Sequence, residues 1–288
     1  MTDAAARAPE VSALELERRG FRRRQTTRSV LVATASTIVF AAVVWVGVVN
    51  TPGWSAVQES FFNADSWARA WPQVIAGFWL NIRVLVVSAL GVAVVGTLLA
   101  AARTVRSPVL FPLRALAAAY TDLFRGLPLI IVLYLIGFGV PALGFTTQRI
   151  PAELLGTLAL VLTYSSYVAE VLRAGLDAVH PSQRLAARAL GLSSGQTLRI
   201  VLLPQAVRKV TPALMNDFIS MQKDVGLISV LGAVDAVRAA GIVQAQLFDY
   251  TPYVLAGVLF VLLAIPCIRF VDAYSARLRR REQIGAVV

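Results

Sequence analysis

Two aspartates, Asp217 and Asp224, lie seven residues apart in a segment long enough to cross a membrane. On an α-helix that spacing is nearly two turns, so both carboxylates face one way, about 10 Å apart along the axis. A carboxylate near the bilayer centre costs at least about 2.5 kcal/mol on insertion scales, and it persists where it faces a water-filled cavity or a partner. Asn216, Ser220 and Gln222 add polar groups beside them. Two readings are open. In one, the segment lines a transport pathway, and Asp217 and Asp224 meet an amino or guanidinium group of a substrate. In the other, Lys223 or Arg125 neutralises a carboxylate internally, and Asp224 lies near an interface.

Other candidate side chains carry the same kind of choice. Arg125 either anchors a substrate carboxylate or snorkels to the headgroups. Tyr164, Ser165 and Ser166 either line the cavity or hydrogen-bond a neighbouring helix. Glu170 reads best as an ion pair with Arg173, and His180 as a loop residue. Cys267 is the only cysteine and His180 the only histidine, which leaves no pair for a disulfide and almost nothing for a metal site. No G-x-x-x-x-G-K-[ST] stretch is present, so the chain has no recognisable phosphate-binding loop of its own, and any ATP hydrolysis must come from a partner.

The elements that must position these groups are membrane helices. The chain of 288 residues is 57% hydrophobic and only 15% charged, where a soluble domain is nearer a quarter charged. Apolar runs of about 20 residues are long enough to span the hydrocarbon core. They fall at 29–49, 75–102, 118–140, 152–172, 209–232 and 251–271. The net charge of +11 would suggest nucleic acid in a soluble protein, but here the basic residues sit between apolar runs.

With a cytoplasmic N-terminus, six spans place 21 of the 27 basic residues on one face. Only Arg69, Arg149 and Arg238 lie in the outer segments. That is the positive-inside asymmetry, and it puts both termini in the cytoplasm. Trp45, Trp54, Trp67 and Trp71 gather near the proposed outer interface, where amphipathic rings prefer to sit. Arg18-Arg19-Gly20-Phe21 looks like the start of a twin-arginine signal, but the run Val30 to Val49 is long for a signal and lacks a clear cleavage site. We read it as a retained helix. The expected organisation is a basic tail over 1–28, a helix over 29–49, a core over 73–271 and a tail over 272–288.

The longest inner loop, 173–208, is more than a connector. Ser182 is positioned to cap a helix from Gln183 to Leu190 that ends at Gly191. Ser193 with Gln196 offers a capping box for a second helix that stops near Pro204. Leu185, Ala189 and Leu192 share one side of the first helix, flanked by Arg184 and Arg188. Such a surface suits docking into a partner's groove or resting on lipid headgroups.

The run from Gln183 to Gly191, through Leu185, Ala186, Ala187 and Arg188, and on to Val201-Leu202-Leu203-Pro204 resembles the EAA loop of bacterial ABC importer permeases. That pattern reads E-A-A, three residues, G, nine residues, I-x-L-P, and both spacings are kept here. Leu185 stands for the glutamate and Val201 for the isoleucine. Phe124-Arg125-Gly126-Leu127-Pro128-Leu129 is similar to the F-R-G-T-P-L element of polar amino-acid permeases. Tyr167-Val168-Ala169-Glu170 with Arg173-Ala174-Gly175 is similar to their Y-V-A-E-I-x-R-x-G element. Pro212 to Asn216, Lys223-Asp224 and Ser229 to Gly232 resemble their fourth core helix, with Val225-Gly226 where Thr-Ser is usual.

The resemblance covers roughly 73–281. It implies an all-α membrane protein, a five-helix type I permease core plus one extra N-terminal helix, serving as a subunit of an amino-acid importer in the bacterial cytoplasmic membrane. It implies as partners an ABC ATPase dimer, which the 183–204 loop would couple to the membrane bundle, an extracytoplasmic binding protein, and a second permease subunit, the same or related. It also implies a substrate site at Asp217 and Asp224, as in a member handling basic amino acids. The rival expectations are an ion-coupled secondary transporter, a membrane scaffold that transports nothing, and an ABC permease for another small solute.

Overall fold

A computed structural model describes residues 13–104, 107–144 and 150–285. All regular structure among them is helical: α1 (Ala13–Val49), α2 (Trp54–Phe61), α3 (Ala64–Thr104), α4 (Phe111–Gly126), α5 (Leu129–Ala142), α6 (Ala152–Asp177), α7 (Pro181–Ala189), the single turn α8 (Ser194–Gln196), α9 (Leu203–Asp224), α10 (Ala236–Leu247) and α11 (Thr251–Gly285). The chain divides between Glu59 and Ser60 into two compact units. Most of the sequence-predicted tail over 1–28, including its arginine cluster, lies where side chains are not described.

The smaller unit is α1 with the start of α2. Within α1, Gln25–Val49 is apolar and long enough to cross a membrane. The larger unit holds everything else. Three further stretches meet the same test, Trp54–Thr104, Ala152–Asp177 and Thr251–Leu278, and six crossings result if each of two bent helix pairs counts as one.

The helix α3 is the spine. Its 41 residues extend about 60 Å, twice the hydrocarbon thickness. One face buries Asn81, Ser88, Gly96 and Ala100, while the other exposes Val86, Val87, Leu90, Val94 and Leu98. The buried face mixes these small and polar residues with Val74, Phe78, Val84, Leu85 and Val92, while the exposed face is large and apolar where a soluble helix would be polar. Lipid solvates the apolar face, so helices associate through close packing of small residues. Both α3 and α9 pack along α6, and they scarcely touch one another.

Two expected spans are broken. The run 118–140 is not one helix: α4 and α5 meet at 109°. Leu127 is extended (φ −95°, ψ 133°), as expected of the residue before a proline, and Pro128 has no N–H to continue the ladder. The run 209–232 also departs from a single helix. α9 ends at Asp224, a 3₁₀ stretch follows over Val225–Leu231, and Gly232 (φ 90°) closes it. The axis then turns by 54° into α10.

That turn is held by a buried knot. Asp235 caps α10 by accepting from the backbone N–H of Arg238 at 2.9 Å. Asn81 of α3 donates to the other Asp235 oxygen at 3.0 Å and to the Val225 carbonyl at 3.2 Å. Asn81 also accepts from the Ala236 N–H at 3.0 Å. Gly77 on α3 lets the two backbones meet, since a Cβ there would lie 2.4 Å from the Asp235 carbonyl carbon. A second knot joins the start of α3 to the start of α11. Ser66 donates to Asp249, and the Asn63 N–H donates to Thr251 at 3.1 Å.

Candidate functional site

The break between α4 and α5 opens space against α6 and α9. A cavity of about 320 Å³ there is lined by Leu127, Pro128 and Leu129, by Thr163, Tyr164 and Tyr167 of α6, and by Asp217, Ser220 and Asp224 of α9. The two aspartates therefore do share a face, as the seven-residue spacing predicts. The Tyr164 hydroxyl donates to Asp224 Oδ2 at 2.7 Å. Asp217 Oδ2 is buried without a hydrogen-bond partner among the described residues. Neither carboxylate forms an ion pair among the described residues. Lys223 is exposed, and Arg125 is engaged elsewhere. Two carboxylates with no paired cation among the described residues thus share a cavity with tyrosine and serine hydroxyls, an arrangement chemically suited to a positively charged group.

Three of the predicted site residues are placed otherwise. Asn216 is exposed and lines neither this cavity nor the one described below. Ser165 is fully buried and lies 2.9 Å from the Tyr120 hydroxyl of α4, a contact between helices. Arg125 stands 3.7 Å from Glu170, with no contact to either aspartate. Glu170 does pair with Arg173, at 2.5 Å, and it also accepts from Arg103 of α3 at 2.7 Å. One carboxylate thus ties α3, α4 and α6 together. Thr163 and Tyr167 were missed by sequence reasoning, and the signal was available: with Tyr164 they sit at i, i+1 and i+4 on one face of α6.

A second cavity, of about 220 Å³, lies where α3 and α9 diverge over α6, and it shares Tyr164 and Asp217 with the first. Apart from Asp217, Tyr164 and Thr97, its lining is apolar.

The loop after α6 forms a compact module. His180, not Ser182, caps α7: its Nδ1 accepts from the Ser182 N–H at 3.3 Å and lies 2.7 Å from the Ser182 hydroxyl. α7 ends in a Schellman turn. Gly191 (φ 80°) sits at the left-handed position, its N–H donates to Arg188 at 2.9 Å, and the Leu192 N–H donates to Ala187 at 3.2 Å. Ser193 and Gln196 form the expected capping box. The second helix does not stop near Pro204. A π-helical stretch, Thr197–Leu202, carries it into α9, and Pro204 sits in the first turn of α9, where a missing N–H costs little.

Ala187 is buried, and Lys209 donates to the Ala178 carbonyl at the end of α6 at 2.8 Å. Leu185 and Leu190 project outward, 69% and 82% exposed. Ala186, Arg188, Gly191, Leu203 and Pro204 are exposed as well. The loop thus presents apolar and basic side chains on a stiff frame.

Comparison with known proteins identifies the family. The family model for "Binding-protein-dependent transport system inner membrane component" matches residues 94–280. The arginine transport system permease protein ArtQ of Bacillus subtilis (strain 168) is 33% identical over 198 residues, 67% of this chain and 87% of the relative. The glutamate transport system permease protein GluC of Corynebacterium glutamicum is 34% identical over 213 residues, 71% of this chain and 89% of the relative. The crystal structure of an amino acid ABC transporter with histidines matches with a TM-score of 0.67 at 31% identity, over 73% of this chain and 96% of that one.

Proposed function

This chain belongs to the family of binding-protein-dependent transport system inner membrane components, and on that premise we propose that it is the permease subunit of an ATP-driven amino-acid importer whose pathway favours a cationic substrate. The observation that carries the substrate class is the convergence of Asp217 and Asp224 on one cavity with no internal cation to neutralise them. Overall identity does not choose it, because relatives named for arginine and for glutamate match almost equally well.

The chain provides a path and no bond chemistry. ATP and magnesium act on a partner ATPase pair, which grips the 183–204 loops of two facing permease subunits. A binding protein delivers the amino acid at the outer face. Closure of the ATPases rocks the bundle between outward- and inward-facing states, and the substrate passes Asp217 and Asp224 on the way. Tyr164 orients Asp224 by a hydrogen bond to one carboxylate oxygen and leaves the other for the substrate's ammonium or guanidinium. The direction in which α8, the π-helical stretch and α9 run supports this coupling, because one nearly continuous helix joins the docking loop to the acidic pair. Six crossings with both termini in the cytoplasm, in a bacterial cytoplasmic membrane, complete the reading.

The test is uptake of a labelled amino-acid panel in cells lacking this chain, complemented with wild type, Asp217→Asn or Asp224→Asn. Rescue confined to arginine, lysine or histidine, and lost in both variants, is expected. Rescue of glutamate or glutamine by all three proteins would discard the cationic site and keep the permease.

A further inference from the structure

The smaller cavity has a chemistry of its own. α3 and α9 both lie on α6 but diverge from each other, and Val168 of α6 floors the gap. Ala89, Val92 and Ala93 form one wall, and Leu214 and Phe218 the other. Its few polar groups are largely spent. The Thr97 hydroxyl donates to the Ala93 carbonyl at 2.6 Å, and the Tyr164 hydroxyl donates to Asp224 at 2.7 Å. Asp217 Oδ2 alone among them is buried without a partner, and Asp217 also lines the larger, polar cavity. A ligand that suits this pair of spaces is a cation joined to a hydrocarbon chain: the cation belongs at Asp217, between the two cavities, and the hydrocarbon belongs against the apolar walls.

We propose that the cavity between α3 and α9 seats the methylene stem of a cationic amino acid, so that Ala89, Val92 and Ala93 select the stem's length. The proposal rests on the reading of Asp217 and Asp224 as the substrate site and adds to it a size rule set by α3. Small residues on α3 leave room where leucine would fill it, and the volume of about 220 Å³ is ample for a methylene stem.

The test uses the permease purified with its ATPase, with the binding protein left out so that its own selectivity does not intrude. Lysine, ornithine and 2,4-diaminobutyrate carry the same charges and shorten by one methylene at each step. They compete against radiolabelled lysine. In wild type, affinity is expected to fall about fourfold per methylene lost, which makes lysine about 15-fold tighter than 2,4-diaminobutyrate. Ala93→Leu is expected to collapse that ratio toward unity. Leu214→Ala, which enlarges the slot, is expected to shift preference toward homolysine, and it decides the matter if Ala93→Leu does not copurify with the ATPase.

The same ladder in wild type and both variants, with binding abolished by Asp217→Asn, would overturn the slot and leave the acidic site standing. Absence of lysine binding to wild type, with Asp217→Asn indistinguishable from it, would remove the underlying reading and the slot with it.

Discussion

Asp217 and Asp224 face the same cavity but differ in what holds them. Asp224 has a tyrosine hydroxyl, and Asp217 Oδ2 has no hydrogen-bond partner among the described residues. Tyr164→Phe removes the donor without changing the ring. Transport is expected to fall about tenfold, the equivalent of one hydrogen bond to a charged group, with protein yield retained, as measured by initial uptake rates. Asp235 is the contrasting case, an aspartate that serves the fold. It caps α10 and accepts from Asn81 in a fully buried site. Asp235→Ala removes the acceptor of one Asn81 amide hydrogen and of the Arg238 N–H, and it is expected to destabilise the protein by about 1–3 kcal/mol. A lowered midpoint in detergent thermal unfolding is the check. Sequence alone does not separate these three aspartates by role, because the difference lies in which neighbours they meet.

At the scale of elements, helix continues from the proposed docking loop to the proposed substrate site. The π-helical stretch Thr197–Leu202 forms the junction between the loop and α9, and the proposed coupling would run along it from α8 toward Asp217. Leu185 occupies the motif's usual glutamate position and is exposed. The interface it makes is therefore expected to be apolar. Leu185→Asp should lower binding-protein-stimulated ATP hydrolysis at least tenfold in proteoliposomes, while Leu185→Met should retain it. Gly191 is held at φ 80°, a conformation that costs other L-residues roughly 1 kcal/mol or more. Gly191→Ala is expected to loosen α7 and weaken copurification of the ATPase. Three features of this module were legible beforehand: the turn at Gly191, the box at Ser193 and Gln196, and the exposed Leu185. Each is local chemistry within a few residues. The cap at His180 and the continuation past Pro204 were not, because each depends on backbone geometry that several residue types satisfy.

For the whole molecule, the distribution of basic residues and the small-residue faces of α3 and α6 agree on a bundle that crosses the bilayer several times. The loop at Ser194 and the corner at Phe248 are expected on opposite faces. Single cysteines at these positions, in a Cys267→Ser background, should react with an impermeant maleimide from opposite sides, Ser194→Cys only in inverted membranes and Phe248→Cys only in intact spheroplasts. Labelling of both from one side would refute the six-crossing arrangement.

The helical membrane class, the turn at Gly191 with the capping box at Ser193 and Gln196, and the shared face of Asp217 and Asp224 were determined by sequence alone. They follow from apolar run length, from caps written in adjacent residues, and from the periodicity of the helix. Tertiary structure decided the rest. It set Arg125 against Glu170, turned Ser165 toward Tyr120 and brought Tyr164 to the acidic pair. The physical reason is that these outcomes depend on the rotation and crossing of helices far apart in the chain. In a membrane those are settled by close packing of small residues and a few buried hydrogen bonds, neither of which leaves a periodic signature.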